Sequence, residues 1–555
     1  MKNLFYSVFF TVLFLPNCPA FAQSPFSTID YVDINNIKAA LLVHGDMWWN
    51  PTTQLASCEF PKGSGHHISF MSSLWMSGYD AGNNLYVSAQ TYRQNGNDYW
   101  PGPLDSNGTL TYTNSEAWAK IWKINQTDIN TFNAISVHDT ANTPPDILHW
   151  PAKGNPYARG GFGIALTINQ DMAPFVDVNS DGVYNPLQGD YPAIKGDQAL
   201  WWVFSDNGPT HTETNGQPLK VEIHGMAYAY SRGTLIDNVI YYEYNIFNRS
   251  AVNYSNYRIG LFSDADLGWW DDDYLGFDSS HRMGIEYNGT VTDGVGQVNS
   301  YGNMIPTVGV TMIILPGDNP PATFAPAGSF MYYNNDYSIQ GNPVTPGQHN
   351  NYLRSTWRDS THVVNDFHGY GIHSTAYGTG ANTNYVYAGD PSDTSKWSEC
   401  ASQNPPGDRR FIITSNDFTL TAGASQKVVM ALVTTNPMLN NGCPSTNFDS
   451  IKVVADTAWN IYFNPLPSLS VSGLANNDNS IRVYPNPVHN ILYIETNSKE
   501  PGQLVICNTI GQAVNTISNV HQNKTELNVG NLPDGIYYVL YKTSTDQKAM
   551  TFIKQ

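Results

Sequence analysis

Short runs in which apolar and polar residues alternate cover most of this chain. In "LIDNVIYYEYNIFN", Ile240, Tyr242, Tyr244 and Ile246 fall on one face and Tyr241, Glu243, Asn245 and Phe247 on the other. That period of two predicts a strand. The following "YRIGLFSD" predicts its partner in a hairpin or meander, and "DFTLTAGASQKVVMALVTT" predicts strand, glycine-containing turn and strand. One segment has a different period. "DSIKVVADTAWNIYF" spaces Ile451, Val454, Ala458 and Ile461 at helical intervals behind Asp449 or Ser450 as an N-cap, and predicts one short helix near the end of the main domain.

Composition places these strands outside the cell. Tyr (34), Gly (45) and Pro (34) are abundant, and aromatic residues match charged ones at 13% each. Aromatics suit a pleated, half-buried surface, while Gly and Pro supply turns. The expected fold is mainly β: a large β-sandwich-like body carrying that helix, plus a small C-terminal Ig-like β-sandwich. The net charge of -19 argues against a nucleic-acid partner, which needs a basic face for phosphate.

At the N-terminus Lys2, the apolar run "LFYSVFFTVLFL" and the small-residue "AFA" make residues 1–22 a signal peptide, cleaved after Ala22. The run is too short to anchor in a bilayer, so no transmembrane span is expected. Export permits disulfides. Of Cys58, Cys400, Cys443 and Cys507, the preferred pair is Cys400 with Cys443, because they flank one predicted hairpin region. Residues 23–464 form the body, with a potential division into two subdomains near residue 210. "PLPSLSVSGLANNDNS", residues 465–480, has the composition of a linker.

Beyond the linker, "ILYIET", "QLVICN", "TELNV", "GIYYVLYK" and "AMTFIK" are strand-like runs separated by turn signals such as "NTIGQ" and "LPDG". "VYPNPVHNILYIET", "VICNTIGQAV", "LPDGIYYVLY" and the terminal "FIKQ" resemble the type A C-terminal sorting domain of type IX secretion cargo in Bacteroidota. The resemblance covers 481–555 and holds at Tyr484, Pro485, Asn486 and Pro487, at Gly511 in the central turn, and at Gly535 and Tyr537. It implies passage through the periplasm, recognition of the tail by the type IX machinery, removal of the tail, and a secreted or outer-cell-surface destination. In the body, "GDQALWWVFSD", "FSDADLGWWDDDYLGFDSSHRMGIEYNG" and "HNNYLRSTW" are similar to the bodies of secreted Bacteroidota proteins with this same tail. That likeness implies one contiguous unit and no particular activity.

Two acidic stretches are candidates for chemistry. In "DVNSDGVYNPLQGDYP", Asp177, Asn179 and Asp181 stand at loop positions one, three and five, Gly182 follows, Val183 offers a backbone carbonyl, and Asp190 is a candidate late ligand. Hard oxygen ligands at this spacing wrap a calcium ion. Gln188 stands where an EF-hand needs glutamate, and Pro174, Pro186 and Pro192 oppose flanking helices. The expectation is a structural calcium bracing a loop between strands, against an alternative in which these residues make only Asx-type turns.

The second stretch, "SDADLGWWDDDYLGFD", puts Asp264 and Asp266 on one strand face, followed by Asp271, Asp272, Asp273 and Asp278. Asp264 and Asp266 are a candidate second metal site. They are also candidates for the acid and base of a glycosidase, which sit about 5–10 Å apart, with Trp269 and Trp270 to stack on a sugar. A solvated acidic turn is the third reading, and metal or turn ranks ahead of catalysis. Trp48, Trp49, Trp75, Trp100, Trp201, Trp202 and Trp397 are more often core than a sugar platform. His66 and His67 point to opposite faces of a strand, and His368 and His373 lie in a glycine-rich loop. No HExxH, GxSxG or phosphate-binding loop occurs.

The expected function is therefore a secreted or cell-surface, non-catalytic protein with a calcium-stabilised body and an extracellular glycan or protein ligand. The alternative is a secreted carbohydrate-active enzyme or glycan-binding protein working through Asp264, Asp266 and the nearby tryptophans.

Overall fold

The computed structural model describes residues 27–92, 96–372, 378–440, 442–443, 448–466, 481–496, 502–508, 513–520, 524–542 and 547–555. The signal peptide, linker residues 467–480, His373 and Gly511 lie outside them.

Two antiparallel sheets carry the body. The nine-stranded sheet runs in the order Asp273–Asp278, Met283–Asn288, Val308–Ile314, Ser425–Thr434, Val239–Asn248, Val221–Ala229, Gln198–Ser205 and Trp100–Pro101, with Trp122–Asn125 also pairing Gln198–Ser205. The six-stranded sheet runs Ser329–Asn334, Arg409–Thr414, Tyr254–Ala265, Met71–Tyr79 and Leu85–Ser88, with Phe418–Leu420 on Tyr254–Ala265. Residue 210 lies between Gln198–Ser205 and Val221–Ala229, which pair with each other along their length.

Strand Val239–Asn248 shows how sequence period becomes layers. Ile240, Tyr242, Tyr244 and Ile246 enter the core shared with the six-stranded sheet, while Val239 and Tyr241 enter a second core on the other face. The two sheets touch through Phe277, stacked on Phe330 at 4.9 Å. They approach so closely at Gly284 that a Cβ there would meet ring carbons of Phe411 at 2.7 Å and Phe330 at 2.8 Å, so only glycine fits.

The second core is roofed by helix Phe448–Phe463, which buries Ile451, Val454, Ala455, Ala458 and Ile461. The Tyr241 hydroxyl donates to the Ala458 carbonyl at 2.8 Å. The helix already includes Phe448, so Asp449 and Ser450 sit in its first turn and neither is the N-cap. Among the described residues, four further short α-helices join it: Tyr112–Trp118, Gln126–Ala134, Pro145–Leu148 and Pro346–Tyr352. Cys400 and Cys443 form the expected disulfide, and Cys58 and Cys507 are buried free thiols. Among the described residues no helix is long and apolar enough to cross a membrane.

The tail is a sandwich. Ile481–Tyr484, Ile491–Thr496 and Lys524–Asn528 form one sheet, and Ala513–Val520, Gly502–Asn508, Gly535–Lys542 and Gln547–Lys554 the other. Leu492, Ile494, Leu504, Ile506, Val539 and Phe552 fill its core. All five expected strands are present, with Ile481–Tyr484 and Ala513–Val520 in addition.

Candidate functional site

Strands Tyr254–Ala265 and Arg409–Thr414 pair antiparallel, with Asp264 opposite Arg410 and Ala265 opposite Arg409. Directly opposed side chains share a face, and one more step of this register sets Asp266 opposite Asp408. Asp264, Asp266 and Asp408 accordingly converge, each offering a carboxylate oxygen, and these oxygens all lie within 4.8 Å of one another. Arg410 sits among them. Its Nη1 donates to Asp408 Oδ1, its Nη2 donates to Asp264 Oδ2 at 3.3 Å and to the Tyr92 hydroxyl at 2.9 Å, and its Nε lies 3.2 Å from Asp264 Oδ1. Asn335 Nδ2 donates to Asp408 Oδ2 at 2.9 Å.

Asp266 is the exception. Its Oδ1 is sealed from solvent and receives no hydrogen bond, as is also true of Asp264 Oδ1 outside the Arg410 contact. Burial raises both carboxyls, and that of Asp266 is pushed up to about 7, with the Asp408 charge adding to the rise and Arg410 opposing it. The other aspartates of the run disperse: Asp273 accepts from the Leu267 N–H at 3.0 Å and Asp278 pairs with His281.

The aspartates line the middle of a groove made of three adjoining cavities of 740, 240 and 590 Å³. Asn335 lines all three, Asp408 bridges the first two and Tyr92 the last two. Trp270, Asp271 and Asp336 line one end, and Thr91, Thr212, Glu213 and Tyr337 the other. At that far end the Thr91 hydroxyl donates to Glu213 Oε1, while Oε2 is sealed without a donor. Burial pushes this carboxyl up to about 8. Trp270 is 41% exposed and packs on Trp269 at 5.3 Å. Trp48, Trp49, Trp75, Trp100, Trp201, Trp202 and Trp397 are all core residues. The arrangement can hold a cation, hold a proton, or hydrogen-bond to a hydroxyl-rich molecule.

The Asp177 loop is built differently. Phe175–Val176 and Tyr191–Pro192 pair antiparallel at its base, so it is a loop between strands. Asp177 accepts from the N–H groups of Ser180 at 2.7 Å and Gly182 at 2.8 Å, Asp181 from the N–H of Val183 at 2.9 Å, and Asn179 Oδ1 from the N–H of Asp181 at 3.1 Å. Buried Asp190 accepts from Val178 and Asn185, both at 2.8 Å. Gly182 has φ +81° and makes the sharp turn. His66 and His67 part company: the His66 ring meets the Asn299 carbonyl, whereas Nδ1 of His67 is buried without a partner.

Sequence reasoning found Asp264 and Asp266 but not Asp408, Arg410, Asn335, Tyr92 or Glu213. The available signal was "GDRRFIIT", in which an acid and two arginines open a strand.

Residues 482–555 match the family of the secretion system C-terminal sorting domain. The protein is type IX secretion cargo. Its destination is the cell surface or the extracellular space. No curated protein matches the chain. Among solved structures, the chain is similar to a polysaccharide lyase, at 9% identity over 60% of this chain and 34% of that chain with a TM-score of 0.18. It is also similar to dimeric latent PorU from Porphyromonas gingivalis, at 9% identity over 72% of this chain and 35% of that chain with a TM-score of 0.12. The chain thus spans about a third of the length of these structures.

Proposed function

We propose that the exported body binds a neutral glycan along the groove that passes Asn335. The observation that carries this reading is the lining of the three joined cavities. Asn334, Asn335, Asn342 and Asn404 supply donors and acceptors side by side, the pairing that vicinal hydroxyls require. Trp270, Tyr92 and Tyr337 offer apolar ring faces, with a polar edge for hydrogen bonding. Asp271, Asp336 and Asp408 outweigh Arg409 and Arg410 along the walls, which repels a polyanionic chain. Small apolar ligands favour concave, mostly apolar pockets, and this groove is open and polar.

Affinity electrophoresis of the full chain through gels containing neutral polysaccharides tests the reading. At least one polysaccharide is expected to retard the protein, and Trp270→Ala and Asn335→Ala are each expected to weaken the retardation roughly tenfold, the equivalent of about 1.4 kcal/mol. Retardation by none of them, or retardation of both variants equal to that of the parent, overturns the proposal.

A further inference from the structure

We propose that Asp264, Asp266 and Asp408 form a divalent-cation site, calcium by its chemistry, at the centre of the groove. Three observations support it independently of any glycan. The first is geometric: strand register brings an oxygen from each carboxylate within 4.8 Å of the others, close enough for one ion to touch all three, since calcium–oxygen distances are about 2.3–2.6 Å.

The second is the state of the oxygens. Asp264, 1% exposed, meets Arg410 Nε at 3.2 Å through its Oδ1, whereas the sealed Oδ1 of Asp266 accepts no hydrogen bond. A buried carboxylate oxygen without a donor is costly, and a cation supplies what the protein does not. The third is charge. Arg410 is the cation seen among the three carboxylates, so two negative charges are left over when all three are ionised. One divalent ion closes that account.

The all-oxygen ligand set excludes a preference for soft metals, which take thiolate or imidazole. Calcium fits better than magnesium because the ligands come from two separate strand ends and the cavity beside them has 240 Å³ of open space. Calcium tolerates irregular coordination completed by water or ligand oxygens, whereas magnesium demands a near-ideal octahedron.

The test is calorimetric titration of calcium chloride into the chelator-stripped full chain near neutral pH, with terbium luminescence sensitised by nearby aromatic rings as a second readout. The expected result is a saturable site with Kd on the order of 10⁻⁴ M, typical of extracellular modules. It should be weakened at least about tenfold by Asp266→Asn and by Asp408→Asn and preserved in Asp177→Asn. Asp266 and Asp408 are only partly buried, so these variants keep the fold, and their melting in chelator checks it. No saturable binding up to about 10 mM calcium overturns the proposal. So does binding that Asp177→Asn abolishes and Asp266→Asn leaves intact. Because no glycan is present, failure here is separate from failure of the glycan reading.

Discussion

The loop at Asp177 and the cluster at Asp264 both gather acidic side chains at spacings that suit a cation, yet they handle their charge in opposite ways. In the loop, Asp177, Asp181 and Asp190 spend their oxygens on backbone N–H groups of the loop itself. In the cluster, Asp264 and Asp408 share one arginine, and Asp266 beside them keeps a sealed oxygen without a donor. Spacing along the chain reports how a loop can turn. Oxygens left over after the fold has supplied its donors report where a ligand belongs.

The largest effect expected from this contrast is at Arg410. Its side chain and that of Asp264 are 5% and 2% exposed, and removing one partner of a buried ion pair costs about 3–5 kcal/mol. Arg410→Met should lower the unfolding free energy obtained from urea titration by that amount. Tryptophan fluorescence isolates the body in this measurement, since every tryptophan precedes residue 460. Calcium should return part of the loss, because an ion that binds only the folded state stabilises it by mass action. A variant as stable as the parent would mean that the cluster is not electrostatically strained, and the contrast with the loop would vanish.

Glu213 extends the contrast to the far end of the groove. Its carboxyl, pushed up to about 8 from an ordinary 4.5 by burial, is protonated in the folded state and ionised in the unfolded state between those values. The folded state then binds more protons, so stability is highest below about pH 4.5 and falls as pH rises towards 8. Glu213→Gln has no proton to lose, and its melting temperature should fall less steeply across that window than the parent's. Equal slopes would place the carboxyl in contact with water and remove the far end of the groove from the group of unsatisfied acids.

These differences explain what the sequence made legible. The tail strands could be read from period and turn residues, except the short Ile481–Tyr484 and Ala513–Val520, whose "AVNTISNV" carries Asn, Thr and Ser where an apolar face would announce a strand. Helix Phe448–Phe463 was legible because its apolar residues keep a helical interval over four turns. Tyr112–Trp118 and Pro346–Tyr352 were not, being seven residues each and held by caps at Thr111 and Thr345 rather than by an apolar stripe. At the site, Asp264 and Asp266 are two residues apart and visible together. Asp408 and Arg410 join them only through the pairing of Tyr254–Ala265 with Arg409–Thr414, and strand register is set by the whole sheet rather than by either segment.

The smallest effect is expected at Asp177, and it bears most directly on whether the two regions really differ. Asp177 accepts three backbone N–H groups, from Ser180, Asp181 and Gly182, while Ser180 and Gly182 hold left-handed conformations at φ 62° and 81°. Asp177→Ala removes those acceptors from an exposed loop, where water replaces them, so the loss should be about 1 kcal/mol, comparable to losing a helix cap. If the loop is braced by its own N–H groups, that loss is the same in calcium and in chelator. If it is braced by an ion, the parent loses stability in chelator and the variant does not, so the gap between them closes when calcium is removed. Urea midpoints of parent and variant in both buffers separate the two cases: a gap that persists in chelator keeps the loop and the groove cluster as different devices, and a gap that closes makes them two versions of the same one.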